Sequence, residues 1–120
     1  MNKKTLILGA SINPERYAYL AAHRLVENGH SIVNVGLKAG VVAGVPIELA
    51  HEVYSDIDTI TLYLGPDNQG TYYNYILQTK PKRIIFNPGT ENPDLEKLLN
   101  LRGIEFTKAC TLVLLASGQY

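Results

Sequence analysis

Leu6-Ile-Leu-Gly-Ala-Ser-Ile-Asn-Pro-Glu-Arg16 is the stretch that decides the fold. Thr5–Leu8 is a short run of the kind that forms a strand buried on both faces. Gly9-Ala-Ser11 follows as a turn of small residues, and Arg16–Asn28 continues as a helix. Leu20, Ala21, Leu25 and Val26 share one helical face, and Asn28-Gly29 supplies the stop. A strand, a tight turn and a helix start leave backbone N–H groups and the positive end of a helix dipole above the turn, where a phosphate is favoured. The turn lacks the G-x-G-x-x-G spacing, so it is a weak dinucleotide fingerprint.

Working outward, Ser31–Val35 reads as a second strand, Gly36–Gly44 as a glycine-rich loop and Val45-Pro-Ile47 as a short extended piece. Glu48–Tyr54 reads as a weak helical turn and Thr59–Leu64 as a third strand. Gly65-Pro66-Asp67 opens a helix that runs to about Thr79, and Lys80-Pro-Lys82 ends it. Arg83–Asn87 is a fourth strand and Pro88-Gly-Thr90 a turn. Asn92 is placed as N-cap with Pro93 at the first position of a helix ending near Gly103. Ile104–Thr107 is a fifth strand, and Cys110–Ala116 a short final helix with a sixth strand as the alternative.

Helices between most strands imply an α/β fold, a doubly wound parallel sheet of about five strands with helices on both faces. Right-handed crossovers suggest the order 3-2-1-4-5, with the reversal between strands one and four. Ligands bind above the carboxyl ends of strands at such a reversal. The 120 residues form one domain in this reading.

Composition narrows the classes. Hydrophobic residues make up 46%, enough for a packed core, and Lys+Arg and Asp+Glu are both 11. Zero net charge argues against the basic footprint of nucleic-acid binding and eases self-association. The apolar run after Lys4 is about four residues, shorter than a signal peptide requires, and nothing approaches a membrane span. Cys110 is the single cysteine, which excludes an intrachain disulfide and fits a reducing cytoplasm.

The carboxyl ends of the strands carry the candidate binding residues. Gly9, Ala10 and Ser11 let a phosphate approach the backbone, and Arg16 stands near the helix start. A NAD site usually has Asp or Glu after the second strand; here Lys38 follows Asn34-Val-Gly-Leu, which suits a phosphorylated ribose as in NADP or coenzyme A.

Gly9-Ala-Ser11 with Pro14, Gly36-Leu-Lys38, Gly44-Val-Pro46, Asp58, Phe86-Asn-Pro-Gly89 and the late Cys110 resemble the small CoA-binding domain proteins. These are similar to the nucleotide-binding domain of the succinyl-CoA synthetase alpha subunit. The resemblance covers nearly the whole chain and implies a Rossmann-like domain holding coenzyme A or an acyl-CoA across the sheet rim. It implies a diphosphate on Gly9 and Ser11, and an adenosine end near Val35, Gly36, Leu37 and Lys38. It implies a pantetheine arm passing Tyr63, Leu64 and Gly65 toward Asn87, Pro88 and Gly89. The chain has Val35-Gly-Leu-Lys38 where the family often has Val-Asn-Pro-Lys. It has Tyr63-Leu64 in place of Phe-Arg, and Asn87 in place of Gln.

Cys110 on the same rim is either a thiol near the end of that arm, with Lys108 as helper, or a structural cysteine. His23 and His30 fall away from the rim, and His51 lies on a segment of weak pattern. No histidine pair has metal-site spacing, and Ser11 has no His-Asp companions. Glu91 is the best acid/base candidate, although a helix-start charge explains it as well. Thr71-Tyr-Tyr-Asn-Tyr75 is either an oligomer contact, for which a homodimer is the simplest form, or partly buried packing. The sequence therefore reads as a binding module without catalytic machinery. An NADP-dependent oxidoreductase and an interaction protein with a vestigial site remain as alternatives.

Overall fold

The computed structural model describes residues 2–49 and 52–120. Its strands are β1 (Thr5–Ala10), β2 (Ile32–Gly36), β3 (Val41–Val42), β4 (Val45–Glu48), β5 (Thr59–Leu62), β6 (Arg83–Phe86) and β7 (Glu105–Lys108). Its helices are α1 (Tyr17–Glu27), α2 (Tyr73–Thr79), α3 (Pro93–Leu101) and α4 (Thr111–Ala116). The sheet runs β3-β4-β2-β1-β5-β6-β7, parallel throughout except for the β3–β4 hairpin.

Strand alternation assigns each face. Leu6, Leu8, Ile60, Leu62, Ile84 and Phe86 point to one side and bury Tyr75 and Ile76 of α2 with Leu95 and Leu99 of α3. Ile7 and Ile32 point to the other, against Ala18, Ala22 and Leu25 of α1 and Leu115 of α4. Helices therefore cover both faces, as the pattern of strands and helices implies.

The strand order departs from expectation. The Thr59–Leu62 strand does not lie outside β2; it pairs with β1, from Thr5↔Thr59 to Leu8↔Leu62. The outer edge of β2 is already taken by β4, with Asn34 opposite Ile47. Buried Asn34 fastens the hairpin there, its Nδ2 donating to the Val42 and Val45 carbonyls at 3.2 and 3.1 Å. The next strand has only the free side of β1 left. The reversal therefore falls between β1 and β5, the third strand of the sequence reading, rather than between strands one and four.

The hairpin also explains why seven strands replace about five. It closes through Ala43-Gly44, both with positive φ (53° and 78°), the primed geometry of a two-residue loop, inside what reads as a plain loop. The expected helix from Gly65 is broken as well. Two three-residue 3₁₀ turns, Pro66–Asn68 and Gly70–Tyr72, precede α2, because Gln69 between them turns its side chain inward. Glu48 closes β4, and Leu49 and Glu52–Tyr54 form no helix; His51 lies outside the described residues. Asn92 caps α3 as expected, its Oδ1 accepting from the Asp94 and Leu95 N–H groups. Cys110 stands at the N-cap of α4, so the final segment is helical.

The tyrosine cluster is absorbed by the fold. Tyr72 and Tyr75 are buried, and Tyr73 packs against the same core while its hydroxyl accepts from Asn92 Nδ2 at 2.7 Å.

Candidate functional site

Above the carboxyl ends of β1, β5 and β6 lies a cleft of about 790 Å³. Its floor is the turn after β1. The register with β2 slips at Gly9, whose φ of 99° admits glycine far more readily than any side chain. A Cβ there would also come within 3.0 Å of the Tyr63 carbonyl carbon and 3.2 Å of Leu64 Cδ2. Gly9 is thus the point where the turn touches the neighbouring wall, which is what lets the reversal close.

The turn stiffens itself. The Asn13 N–H donates to Ser11 Oγ at 3.0 Å, and the Glu15 N–H to Asn13 Oδ1 at 3.0 Å. Ser11 accepts through its oxygen and keeps its own proton free to donate. Arg16, in extended geometry, is the N-cap of α1, and no side chain caps that helix. Its first turn carries no acid. The unsatisfied N–H groups and positive dipole end of α1 therefore face the cleft, where Arg16, Tyr17 and Ala18 line it. Lys38 lines the same cleft, and among the described residues neither it nor Arg16 enters an ion pair. Two cations, a hydroxyl and a helix start without a side-chain cap over a small-residue floor, with Glu15 the one acid among the described residues of the lining, fit a polyphosphate.

The residues expected from sequence divide clearly. Gly9, Ala10, Ser11, Arg16, Leu37, Lys38, Tyr63, Leu64, Gly65, Pro88 and Gly89 line the cleft; Pro14, Val35, Gly36, Asn87 and Cys110 do not. Val35 is core. Gly36 serves the sheet, since a Cβ on it would sit 2.4 Å from the Ala10 carbonyl oxygen. Asn87 turns inward: its Nδ2 donates to Thr61 Oγ1 at 2.7 Å and the Leu62 carbonyl at 2.8 Å, and its Oδ1 accepts from the Thr111 N–H at 2.9 Å. It ties β6 to β5 and to the start of α4.

Ile12, Asn13, Glu15, Tyr17, Ala18, Asn68 and Thr90 complete the lining. The first five share the quoted stretch with the expected residues or directly follow it, and adjacency alone could have found them. Asn68 and Thr90 arrive on loops whose approach is purely tertiary. Ile12 also supports a neighbouring loop. A Cβ at Gly40 would meet its Cγ2 at 2.3 Å, so the loop that presents Lys38 rests on the turn after Gly9.

Other groups are committed elsewhere. Lys108 pairs with Glu96 at 3.3 Å, and Glu91 accepts from the Gly89 N–H at 2.8 Å. Burial pushes the Tyr63 phenol up to about 12, so it stays protonated at neutral pH. The Thr61 and Thr111 hydroxyls bond each other at 2.8 Å, and the buried Tyr63 hydroxyl lies beside them. His30 stands at the opposite end of the sheet, its Nδ1 accepting from the Lys3 N–H. Among the described residues no cluster of His, Cys, Asp or Glu could hold a metal ion, and no helix is long and apolar enough to cross a membrane.

The family model described as CoA binding domain matches residues 3–116. The chain belongs to that family. Members of the same fold are already solved. The crystal structure of an uncharacterized protein is 53% identical at a TM-score of 0.98, over 100% of this chain and 99% of that one. Cell-free ID.343 from Thermus thermophilus is 20% identical at 0.87, over 98% and 90%. A hypothetical protein from Pyrococcus horikoshii OT3 is 24% identical at 0.82, over 92% and 79%. The last two speak to the fold alone. No curated protein matches the chain.

Proposed function

We propose that this chain binds coenzyme A or an acyl-CoA and acts as a binding module. The observation that carries the reading is the start of α1, without a side-chain cap and with no acid in its first turn, opening on the cleft in a chain of the CoA binding domain family. In this reading the diphosphate rests on Gly9–Ser11 against α1, and the ribose phosphate meets Lys38. The pantetheine arm runs past Tyr63, Leu64 and Gly65 toward Pro88 and Gly89. The free Cys110 fits a reducing compartment such as the cytoplasm.

Lys38 would suit the 2′-phosphate of NADP equally well, so the test compares ligands. Thermal unfolding is followed with coenzyme A, acetyl-CoA, dephospho-CoA, NADP and NAD at equal concentration. A ligand present at about 100 times its Kd adds about 2.7 kcal/mol, a shift of several degrees. Coenzyme A is expected to stabilise more than dephospho-CoA, and Lys38→Ala to erase that difference. A response to NADP alone would transfer the site to an oxidoreductase cofactor. No response to any of the five would sink the reading and leave an interaction protein with a vestigial site.

A further inference from the structure

Gln69 is the least expected residue of the molecule. Its side chain has 0% exposure although it sits between two surface turns. Burying an amide is costly unless its donors and acceptor are all met. Here they are. Nε2 donates to the Leu64 carbonyl at 2.8 Å and to the Thr90 carbonyl at 2.8 Å. Oε1 accepts from Asn92 Nδ2 at 2.9 Å. Both carbonyls can only accept, so the orientation of the amide follows from its partners.

Leu64 and Thr90 line the cleft from different loops, one after β5 and one after β6. One amide group bridges them. Asn92 holds that amide in place: its Oδ1 caps α3, which leaves Nδ2 to reach Gln69. Thr90 is anchored in turn, its Oγ1 donating to the Asn87 carbonyl at 2.7 Å. The spacing of the two walls is therefore set through Gln69, a residue that does not line the cleft.

We propose that Gln69 is a positioning residue that fixes the width of the cleft between Leu64 and Thr90, and so governs affinity for the pantetheine half of the ligand. The inference rests on the coenzyme A reading and extends it to a residue outside the site. In that reading the adenosine half lies over the Gly9 turn and Lys38, and none of the three hydrogen bonds of Gln69 reaches either of them.

The test is calorimetric titration of the wild type and Gln69→Met with coenzyme A and with adenosine 3′,5′-bisphosphate, which lacks the pantetheine arm. Methionine keeps the volume and removes all three hydrogen bonds. Affinity for coenzyme A should fall about tenfold, while affinity for the bisphosphate is unchanged. In the unliganded protein, amide exchange should quicken at residues 64–70 and 88–91 and not in the turn after β1. A parallel loss for both ligands, or no loss for either, overturns the proposal. If Gln69→Met does not fold, Asn92→Asp carries the same comparison: it keeps the α3 cap and removes the Nδ2 donor to Gln69, while the Tyr73 hydroxyl, which loses the same donor, can itself donate to the new carboxylate; a loss of about threefold for coenzyme A alone is expected. A wild type that binds neither compound ends the coenzyme A reading and the affinity claim together. Unchanged exchange in the variant separately overturns the bridge.

Discussion

Asn87→Ala separates two roles that one residue could hold. The resemblance implies that Asn87 meets the ligand, whereas the structure turns it inward at 3% exposure with three hydrogen bonds of 2.7–2.9 Å. Truncation removes the Asn87 donor from the Leu62 carbonyl and the Asn87 acceptor from the Thr111 N–H. Thr61 Oγ1 keeps only its bond to Thr111 Oγ1. At about 1 kcal/mol net for each buried bond, the variant should lose about 3 kcal/mol. For a domain of this size that lowers the melting temperature by roughly 10–15 °C. Thermal and urea unfolding followed by circular dichroism would measure both. Below the transition, where the variant is folded, coenzyme A affinity should stay within about threefold of wild type. A stability loss under about 1 kcal/mol would show that the side chain is not held as described. A loss of affinity beyond about tenfold in the folded variant would return Asn87 to the ligand and refute the reasoning.

Three further outcomes are expected. Ala43→Asn should stabilise the protein by about 0.5–1 kcal/mol in urea unfolding, because residue 43 sits at φ 53° in a primed turn that asparagine tolerates better than alanine. Gly36→Ala should cost about 3 kcal/mol or leave the protein insoluble, since the added carbon would lie 2.4 Å from the Ala10 oxygen; a melting point within a few degrees of wild type would refute the close approach. Burial, with Lys3 and Arg83 nearby, holds His30 below its ordinary 6.5. The unfolded chain therefore binds the extra proton first, so this contribution to stability is intact above about pH 7 and falls as pH drops through 6.5 toward the folded value. His30→Asn should flatten the melting temperature between pH 7 and 5, and an unchanged slope would remove His30 as its source.

The local parts of the fold were legible because their signals are local. Thr5–Leu8, the small-residue turn and the helix-forming run after it announce strand, turn and helix within one stretch, and Asn92-Pro93 announces α3 by its cap; the buried face of α1 is Ala18, Ala21, Ala22 and Leu25, and the expected Leu20 and Val26 are exposed. The order of strands was not legible. It depends on a short hairpin claiming the edge of β2, and that claim is secured by the Asn34 amide reaching residues 42 and 45, which no periodicity reveals. The site divides the same way. Gly9–Ser11 and Lys38 could be named because each stands at or just past the carboxyl end of a strand. Gly36 and Asn87 stand at strand ends too, yet one is consumed by backbone approach and the other by inward hydrogen bonds. Gln69 carries no sequence signal, because its meaning lies in three partners drawn from elsewhere along the chain.

The hairpin that displaced β5 also shapes the margins of the sheet. It leaves the sheet ending in a two-residue strand on one side, closed by a primed turn. The other side ends in a four-residue strand whose Glu105 and Lys108 are exposed. Neither margin offers a long, flat, apolar row of backbone groups onto which a second chain could lay a strand. The sheet is therefore poorly suited to extension by a strand from another chain.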